Sequence, residues 1–391
     1  MGSFSMRKLS MQLSERIFLG FQFKSEYYSK STLENLLVDS VTDASNEIAE
    51  SGLDYVTLEP LLIELKPNEG VTDGILKLID GAMFCLFEIS NNNPNVMFEL
   101  GNAYAKNKGL IFLKHVNSKS KNQVPTDIVG KYITYYGGQG YPSLEKMRPK
   151  ITKTIKEYVL EEYAKKSETW MRKIWGIRGD NLTVVSGNLF GRYEVEPKDA
   201  DALFDSTIGL INLYPGVKVK RIYSIDFQER GFLNNDLLVI GGPDSNKVTQ
   251  KILEGLGESF PFTYEEYDEP FDFILRDKTS GLEFKKKLEG NIVKSDYGFF
   301  LKTRNPLSPD RNVLVLTGMG ADGTLGCSRA LPTISTPSVY SYYLENFSRL
   351  GDKKFFCFIT EAKIVGETVT GRIVEGTMHY LDTDTGTWKK V

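Results

Sequence analysis

Short apolar runs alternate along the chain with segments whose apolar residues recur every three or four positions, and this alternation limits the fold more than any other feature. Arg16-Ile17-Phe18-Leu19-Gly20-Phe21-Gln22-Phe23 reads as a first buried strand. Leu33, Leu36, Leu37, Val41, Ala44, Ile48 and Ala49 then follow at helical spacing behind the capping candidates Ser31 and Thr32. A second strand is expected over Tyr55 to Leu65, a short helix over Gly70 to Leu78 and a third strand over Ala82 to Ile89. A helix from Pro94 to about Lys106 comes next, then strands at Leu110 to Leu113 and around Tyr132 to Tyr136. Nearly continuous apolar strands separated by helices point to a parallel sheet covered on both faces. A helical pattern from Ser143 to about Lys173, with Ile151, Ile155, Val159 and Tyr163 on one stripe, closes this part.

The second half repeats the grammar. Leu237 to Ile240 leads into Gly241-Gly242-Pro243-Asp244-Ser245-Asn246 and a helix to about Leu256. Val313 to Leu316 leads into Thr317-Gly318-Met319-Gly320-Ala321-Asp322-Gly323-Thr324-Leu325-Gly326 and another helix, and a further strand follows at Phe355 to Thr360. Alternating charged residues from about Phe271 to Leu301 read as antiparallel strands. The expected architecture is α/β, with a flavodoxin-like doubly wound parallel sheet over residues 14–165. A linker over 166–180 would lead to a second α/β domain with a β-rich insertion over 181–391. Two domains suit a chain of 391 residues.

Two histidines, His115 and His379, and three well-separated cysteines leave little material for a zinc site, a Cys-His nucleophile pair or a Ser-His-Asp triad. No metal site is expected, and chemistry would fall to carboxylates, hydroxyls or backbone amides. A net charge of -3 argues against a general attraction to nucleic acid. The odd cysteine count, with each thiol in or beside an apolar stretch, fits a reducing compartment, and the cytoplasm is the expected location. No apolar run is long enough to span a bilayer and no signal-peptide pattern opens the chain, so no membrane association is expected. Met1-Gly2 lacks the Ser or Thr that myristoylation wants where Met6 stands.

The segment from Phe87 to Ala105 carries the most chemistry. It begins where a parallel strand ends, the edge at which open α/β sheets bind ligands. Asn93 suits an N-cap and Pro94 the first helical position, which puts Glu99 in the second turn. Spacing places Asn95, Glu99 and Asn102 on one face beside an apolar stripe of Val96, Leu100 and Ala103. On spacing alone Glu99 is either a cleft carboxylate or a solvent-facing helical glutamate.

Asn93-Pro94-Asn95-Val96-x-x-Glu99-Leu100-Gly101, behind an apolar strand ending in an acidic residue and Ser90, resembles the signature of the nucleoside 2-deoxyribosyltransferase-like proteins. These are close in fold to bacterial Toll/interleukin-1 receptor (TIR) domains, and the likeness covers roughly residues 14–165. The resemblance implies that Glu99 is catalytic, with Ser90, Asn93 and Asn95 among the substrate-binding candidates. Glu88, a further substrate-binding candidate, stands where the family usually has Asp. Gly20, Phe21, Gln22 and Phe23 match the place where those proteins shape the base or ribose pocket, and Ser25 to Tyr28 are weaker candidates. Cleaving an N-glycosidic bond develops positive charge at the anomeric carbon, which one carboxylate can stabilise or attack. Nicotinamide leaves from an already cationic pyridinium without a general acid, so a chain this poor in histidine tilts toward NAD.

The function expected is therefore N-glycosidic cleavage of NAD or a related nucleotide, as substrate and with no added cofactor. The resemblance further implies a homo-oligomeric effector of anti-phage defence, controlled by a C-terminal sensing domain. The alternatives are a nucleoside or nucleoside-monophosphate deoxyribosyltransferase or hydrolase, and a non-catalytic nucleotide-binding signalling module. In the second half, Gly241, Gly242, Asp244, Ser245, Asn246, Gly318, Gly320, Gly323 and Thr324 are candidates for holding a nucleotide or phage-derived activator. Backbone amides in such loops favour anions and phosphates. The Gly-x-Gly-x-x-Gly spacing lacks the acidic residue about 20 positions later that a dinucleotide fingerprint requires, and no lysine stands at a Walker position. Tight turns that need glycine for backbone reasons are the competing account.

Overall fold

The first strand, β1 (Leu13–Gly20), buries its last four residues completely, as a central strand of a covered sheet must. The computed structural model describes residues 12–63, 71–118, 133–188, 192–228, 234–267, 269–306 and 308–391. Within them the chain divides into two units, the first ending at Ala164 and the second running from Lys165 to Val391. Leu65, Gly70 and Tyr132, on which expectations for the first unit fell, lie outside the described residues, as do Met1, Gly2 and Met6.

After β1 the first unit continues with α1 (Lys30–Ile48), β2 (Val56–Leu61), α2 (Val71–Gly81), β3 (Phe84–Glu88) and α3 (Pro94–Ala105). It closes with β4 (Gly109–His115), β5 (Ile133–Tyr136) and the start of α4 (Arg148–Trp175). All five strands are parallel, in the order β2-β1-β3-β4-β5, which is the flavodoxin-like doubly wound arrangement. Phe18, Cys85, Phe87 and Phe112 pack against Ile79 of α2 and Val96 and Leu100 of α3. On the other face, Phe84 meets Tyr158 of α4 with ring centroids 4.7 Å apart. The apolar stripes of α1 and α4 are buried along their length. The cap of α1 is Ser29 rather than Ser31 or Thr32, because its hydroxyl accepts the Thr32 amide at 3.1 Å.

The second unit takes over within α4, so the stretch expected as a linker is helical as far as Trp175, and Met171, Ile174 and Trp175 sit in that unit's apolar core. It continues with β6 (Asn181–Ser186), α5 (Pro197–Leu213), β7 (Lys218–Tyr223), β8 (Asp236–Ile240) and α6 (Lys247–Leu256). The β-rich stretch follows as β9 (Phe262–Tyr267), β10 (Glu269–Asp277), β11 (Glu283–Phe284), β12 (Lys287–Glu289) and β13 (Ile292–Asn305). Then come β14 (Ser308–Gly318), α7 (Ala321–Arg329), α8 (Pro337–Phe347), β15 (Phe356–Val365), β16 (Thr368–Ile373), β17 (His379–Asp382) and β18 (Thr387–Lys390). One large mixed sheet runs β18-β17-β15-β13-β14-β8-β6-β7, with β14, β8, β6 and β7 parallel and the rest antiparallel. β11, β10 and β9 form a separate three-stranded sheet.

In both units a crevice opens where successive connections leave in opposite directions. In the first it lies between β1 and β3, and in the second between β6 and β8.

Much of the glycine pattern after β14 serves packing. Side chains at Gly318 or Gly323 would collide with nearby backbone, and one at Gly326 would run into Ala362, whose Cα lies 2.8 Å from the position of the missing Cβ. Glycine there lets α7 lie directly on the sheet. Gly326→Ala should therefore destabilise the protein by about 1–3 kcal/mol through overpacking. A denaturant or thermal unfolding midpoint equal to that of the parent chain would contradict this account.

Candidate functional site

Gly20 ends β1 beside Phe87 of β3. A side chain at Gly20 would strike the Phe87 ring, and its Cβ would come within 3.1 Å of Glu99 Oε2. Absence of a side chain on β1 is thus what gives the α3 carboxylate its place over the strand end. Asn93 holds the start of α3, its Oδ1 accepting the Asn95 amide at 2.9 Å and the Val96 amide at 3.3 Å, and Pro94 fills the first helical position. Glu99 falls one turn further on.

Glu99 is only 4% exposed, and its Oε2 has no hydrogen-bond partner among the described residues. Burial alone pushes its carboxyl up to about 7. Glu99 is therefore not the solvent-facing helical glutamate that spacing also allowed. Asn95 is exposed and Asn102 donates to the Phe98 carbonyl, so the polar face drawn from spacing does not act as a unit.

Glu88, the last residue of β3, is 2% exposed. Its Oε1 accepts from the Ser90 amide at 3.1 Å, from the Ser90 hydroxyl and from the Tyr136 hydroxyl at 3.0 Å. Burial raises its pKa against the opposing effect of these donors. The Tyr28 hydroxyl donates to the Gln22 carbonyl at 3.0 Å, and its own pKa is raised by burial and by the neighbouring Glu88 charge. Asn91 donates to Ser25 Oγ at 2.8 Å, tying the loop after β3 to the loop after β1.

Sequence reasoning had Tyr27 among its weaker candidates but missed the partners that make it part of an aromatic wall, His115 and Tyr136. His115, at the end of β4, stacks on Tyr27 with centroids 4.7 Å apart and meets Tyr136 edge-on at 5.2 Å. Its position at the end of an apolar strand is the signal that could have found it. Phe21 is buried, whereas Phe23 is 45% exposed with the Lys30 ammonium 4.3 Å from its ring centroid. Three buried oxygens, Gln22 Oε1, Glu88 Oε2 and Glu99 Oε2, remain without partners among the described residues, and all belong to segments bordering the β1/β3 crevice. Unsatisfied buried acceptors are uncommon and mark places where a ligand's donors fit.

In the second unit the two glycine loops follow β8 and β14, neighbouring parallel strands, and therefore meet. Gly242, Asp244, Ser245, Gly318, Gly320 and Thr324 line one cavity of about 110 Å³. Gly241, with φ +113°, turns the chain out of β8, Asn246 caps α6, and Gly323 packs on Tyr297. Asp199 of α5's first turn and Glu196, the N-cap of that helix, which were not foreseen, join the lining. Among the described residues no group of three His, Cys, Asp or Glu could hold a metal ion, and no helix is long and apolar enough to cross a membrane.

The chain matches no family model and no curated protein.

Burial of Glu99 links stability to pH. Its carboxyl sits near 7 in the folded chain against an ordinary 4.5, so its contribution is complete below about pH 4.5 and is lost as pH rises through 7. Glu99→Gln cannot ionise. Its melting temperature relative to the parent should therefore climb between pH 5 and pH 8, by roughly 2–4 °C. A difference that stays constant over that range would show that the folded carboxyl titrates normally.

Proposed function

We propose that the first unit cleaves the N-glycosidic bond of NAD or a related nucleotide, with Glu99 acting on the anomeric carbon, and that the second unit regulates it by binding a ligand. The observation that carries this reading is the buried Glu99 carboxylate with a partnerless oxygen, held beside Gly20 at the β1/β3 crevice. An anion in such surroundings is poorly solvated, so it gains most when positive charge develops next to it. The resemblance of the Asn-Pro-Asn and Glu-Leu-Gly segment to deoxyribosyltransferase-like and TIR-like proteins assigns it the same role. The unsatisfied acceptors Gln22 Oε1 and Glu88 Oε2 suit sugar hydroxyls, and the Tyr27–His115 stack offers an aromatic surface to a base. By the same resemblance we place the protein among homo-oligomeric, cytoplasmic effectors of anti-phage defence.

A second reading has its own support. Glu88, with its raised pKa and the hydroxyls of Tyr136 and Ser90 on one oxygen, is a proton source for a neutral nucleobase. That would suit a nucleoside or nucleoside-monophosphate hydrolase or deoxyribosyltransferase.

Purified protein incubated with NAD, nucleosides and nucleoside monophosphates separates the two. The first reading expects nicotinamide release that falls on the order of 10²-fold or more in Glu99→Ala and changes little in Glu88→Gln. Release of purine or pyrimidine that collapses in Glu88→Gln would favour the second. If no substrate yields a free base, with or without extract of phage-infected cells, the chain is a binding module and both readings fail.

The pH profile adds a sign. Glu99 must be ionised to meet a developing cation, so kcat/KM for NAD should rise with pH through about 7 and level off above it. A profile falling over that interval would mean that the protonated acid is the active form.

A further inference from the structure

The cavity of the second unit is rich in carboxylate acceptors, and several of the backbone amides around it are already engaged. The three helices that begin around it already have their first turns capped from within the protein. Asp296 Oδ2 accepts the Gly323 amide of α7 at 2.8 Å, and Asn246 Oδ1 accepts the Val248 amide of α6 at 3.0 Å. Glu196 accepts the Lys198 amide of α5 at 3.3 Å. In the loops, the amides of Gly187, Asn188, Ser245 and Met319 bond to the carbonyls of Ile240, Ser245, Gly242 and Tyr297. These amides, on which a phosphate would draw, are engaged within the protein.

Facing the cavity instead are Glu196, Asp199 and Asp244, and neither lysine nor arginine is among its lining residues. Asp199 is 6% exposed, and its Oδ1 has no hydrogen-bond partner among the described residues. Burial pushes its carboxyl up to about 7, opposed by a hydrogen bond with the Thr324 side chain and helped by the charges of Glu196, Asp244 and Asp296. A buried acceptor in this position is satisfied when a ligand brings the donor. Gly187, Gly242 and Gly320 border the same space without side chains, so a flat ring can lie against the backbone there.

We propose that this cavity binds a ribose through its vicinal hydroxyls, with Asp199 as the acceptor that fixes them, and that it turns away free phosphate. The pattern of a carboxylate taking sugar hydroxyls at the carboxyl edge of a parallel sheet follows from general chemistry, since an ionised carboxyl accepts from both hydroxyls of a diol. The proposal rests on reading the second unit as a ligand-binding part and uses nothing of Glu99, so it stands or falls separately from glycosidic cleavage.

The test is binding to the full-length Glu99→Ala chain, in which turnover at the first unit does not consume the probe. Adenosine, guanosine, cytidine and uridine are compared with their 2′,3′-dideoxy counterparts and with inorganic phosphate, by calorimetry and by the rise in melting temperature that binding causes. At least one ribonucleoside should bind, its dideoxy counterpart at least tenfold more weakly, and phosphate should neither bind nor compete. Adding Asp199→Asn should weaken the ribonucleoside at least tenfold without lowering the melting temperature of the unliganded protein. Asp244→Asn, an exposed change that leaves the fold intact, should weaken it severalfold and keeps the test decisive if Asp199→Asn does not fold. Equal binding of the dideoxy compound, competition by phosphate, binding indifferent to both second-unit substitutions, or no ribonucleoside binding at all would each overturn the proposal.

Discussion

A parallel sheet buried on both faces hands its strand ends to the connections, and where two connections diverge the fold leaves a crevice with nothing of its own to fill it. Both units depend on that constraint. The residues bordering each crevice are held by strand pairing, Gly20 opposite Phe87 in one and Ser186 opposite Ile240 in the other, so their backbone positions do not depend on side-chain packing. Such rigidity is what allows carboxylates to be kept out of water next to a strand end. Glu99 is held there by a helix whose Val96, Leu100 and Ala103 are anchored in the core, and Asp199 by a helix whose Ala202, Leu203 and Leu210 are.

The two crevices share a further pattern. In each, one buried carboxylate takes several internal donors, and a second has an oxygen with no hydrogen-bond partner among the described residues. Glu88 takes the Ser90 amide and two hydroxyls on Oε1 alone, and among the described residues its Oε2, like Glu99 Oε2, has no partner. Asp296 takes the Tyr297 and Gly323 amides, while Asp199, which bonds the Thr324 side chain, has an Oδ1 with no partner among the described residues. The tied carboxylate helps shape the crevice, Asp296 by joining β13 to α7 and Glu88 by joining β3 to β5. A buried oxygen without a donor carries an energetic cost, and in both crevices carboxylates supply such oxygens.

What the sequence made legible follows from periodicity. Ala82 to Ile89 and Leu237 to Ile240 are apolar on both faces because their strands are covered on both faces, and each was found within a few residues of its true ends. β7 was not found, because Lys218-Val219-Lys220-Arg221 belongs to a sheet edge and carries the charges of one. The α3 cap was readable because Asn-Pro is a local signal. That of α1 was displaced by two residues because Ser29, Ser31 and Thr32 compete for one role within a single turn. The glycines after β14 showed the weakness of motif spacing. Gly318, Gly323 and Gly326 serve close packing, and only the meeting of two loops across β8 and β14, a long-range pairing, reveals which of the remaining residues share a cavity.

His115 shows how a counted residue changes meaning once it is placed. Two histidines in the chain suggested that proton transfer by imidazole was in short supply, and one of the two stands in the candidate site. Its Nδ1 accepts the Asn117 amide at 3.2 Å, which leaves the ring proton on Nε2, and burial lowers its affinity for a second proton. Near neutral pH the ring is therefore a neutral, stacked aromatic surface rather than an acid. On the proposed reading, any proton donation in this crevice would fall to Glu88 and the hydroxyls around it, and a leaving group that needs no proton would call on Glu99 alone.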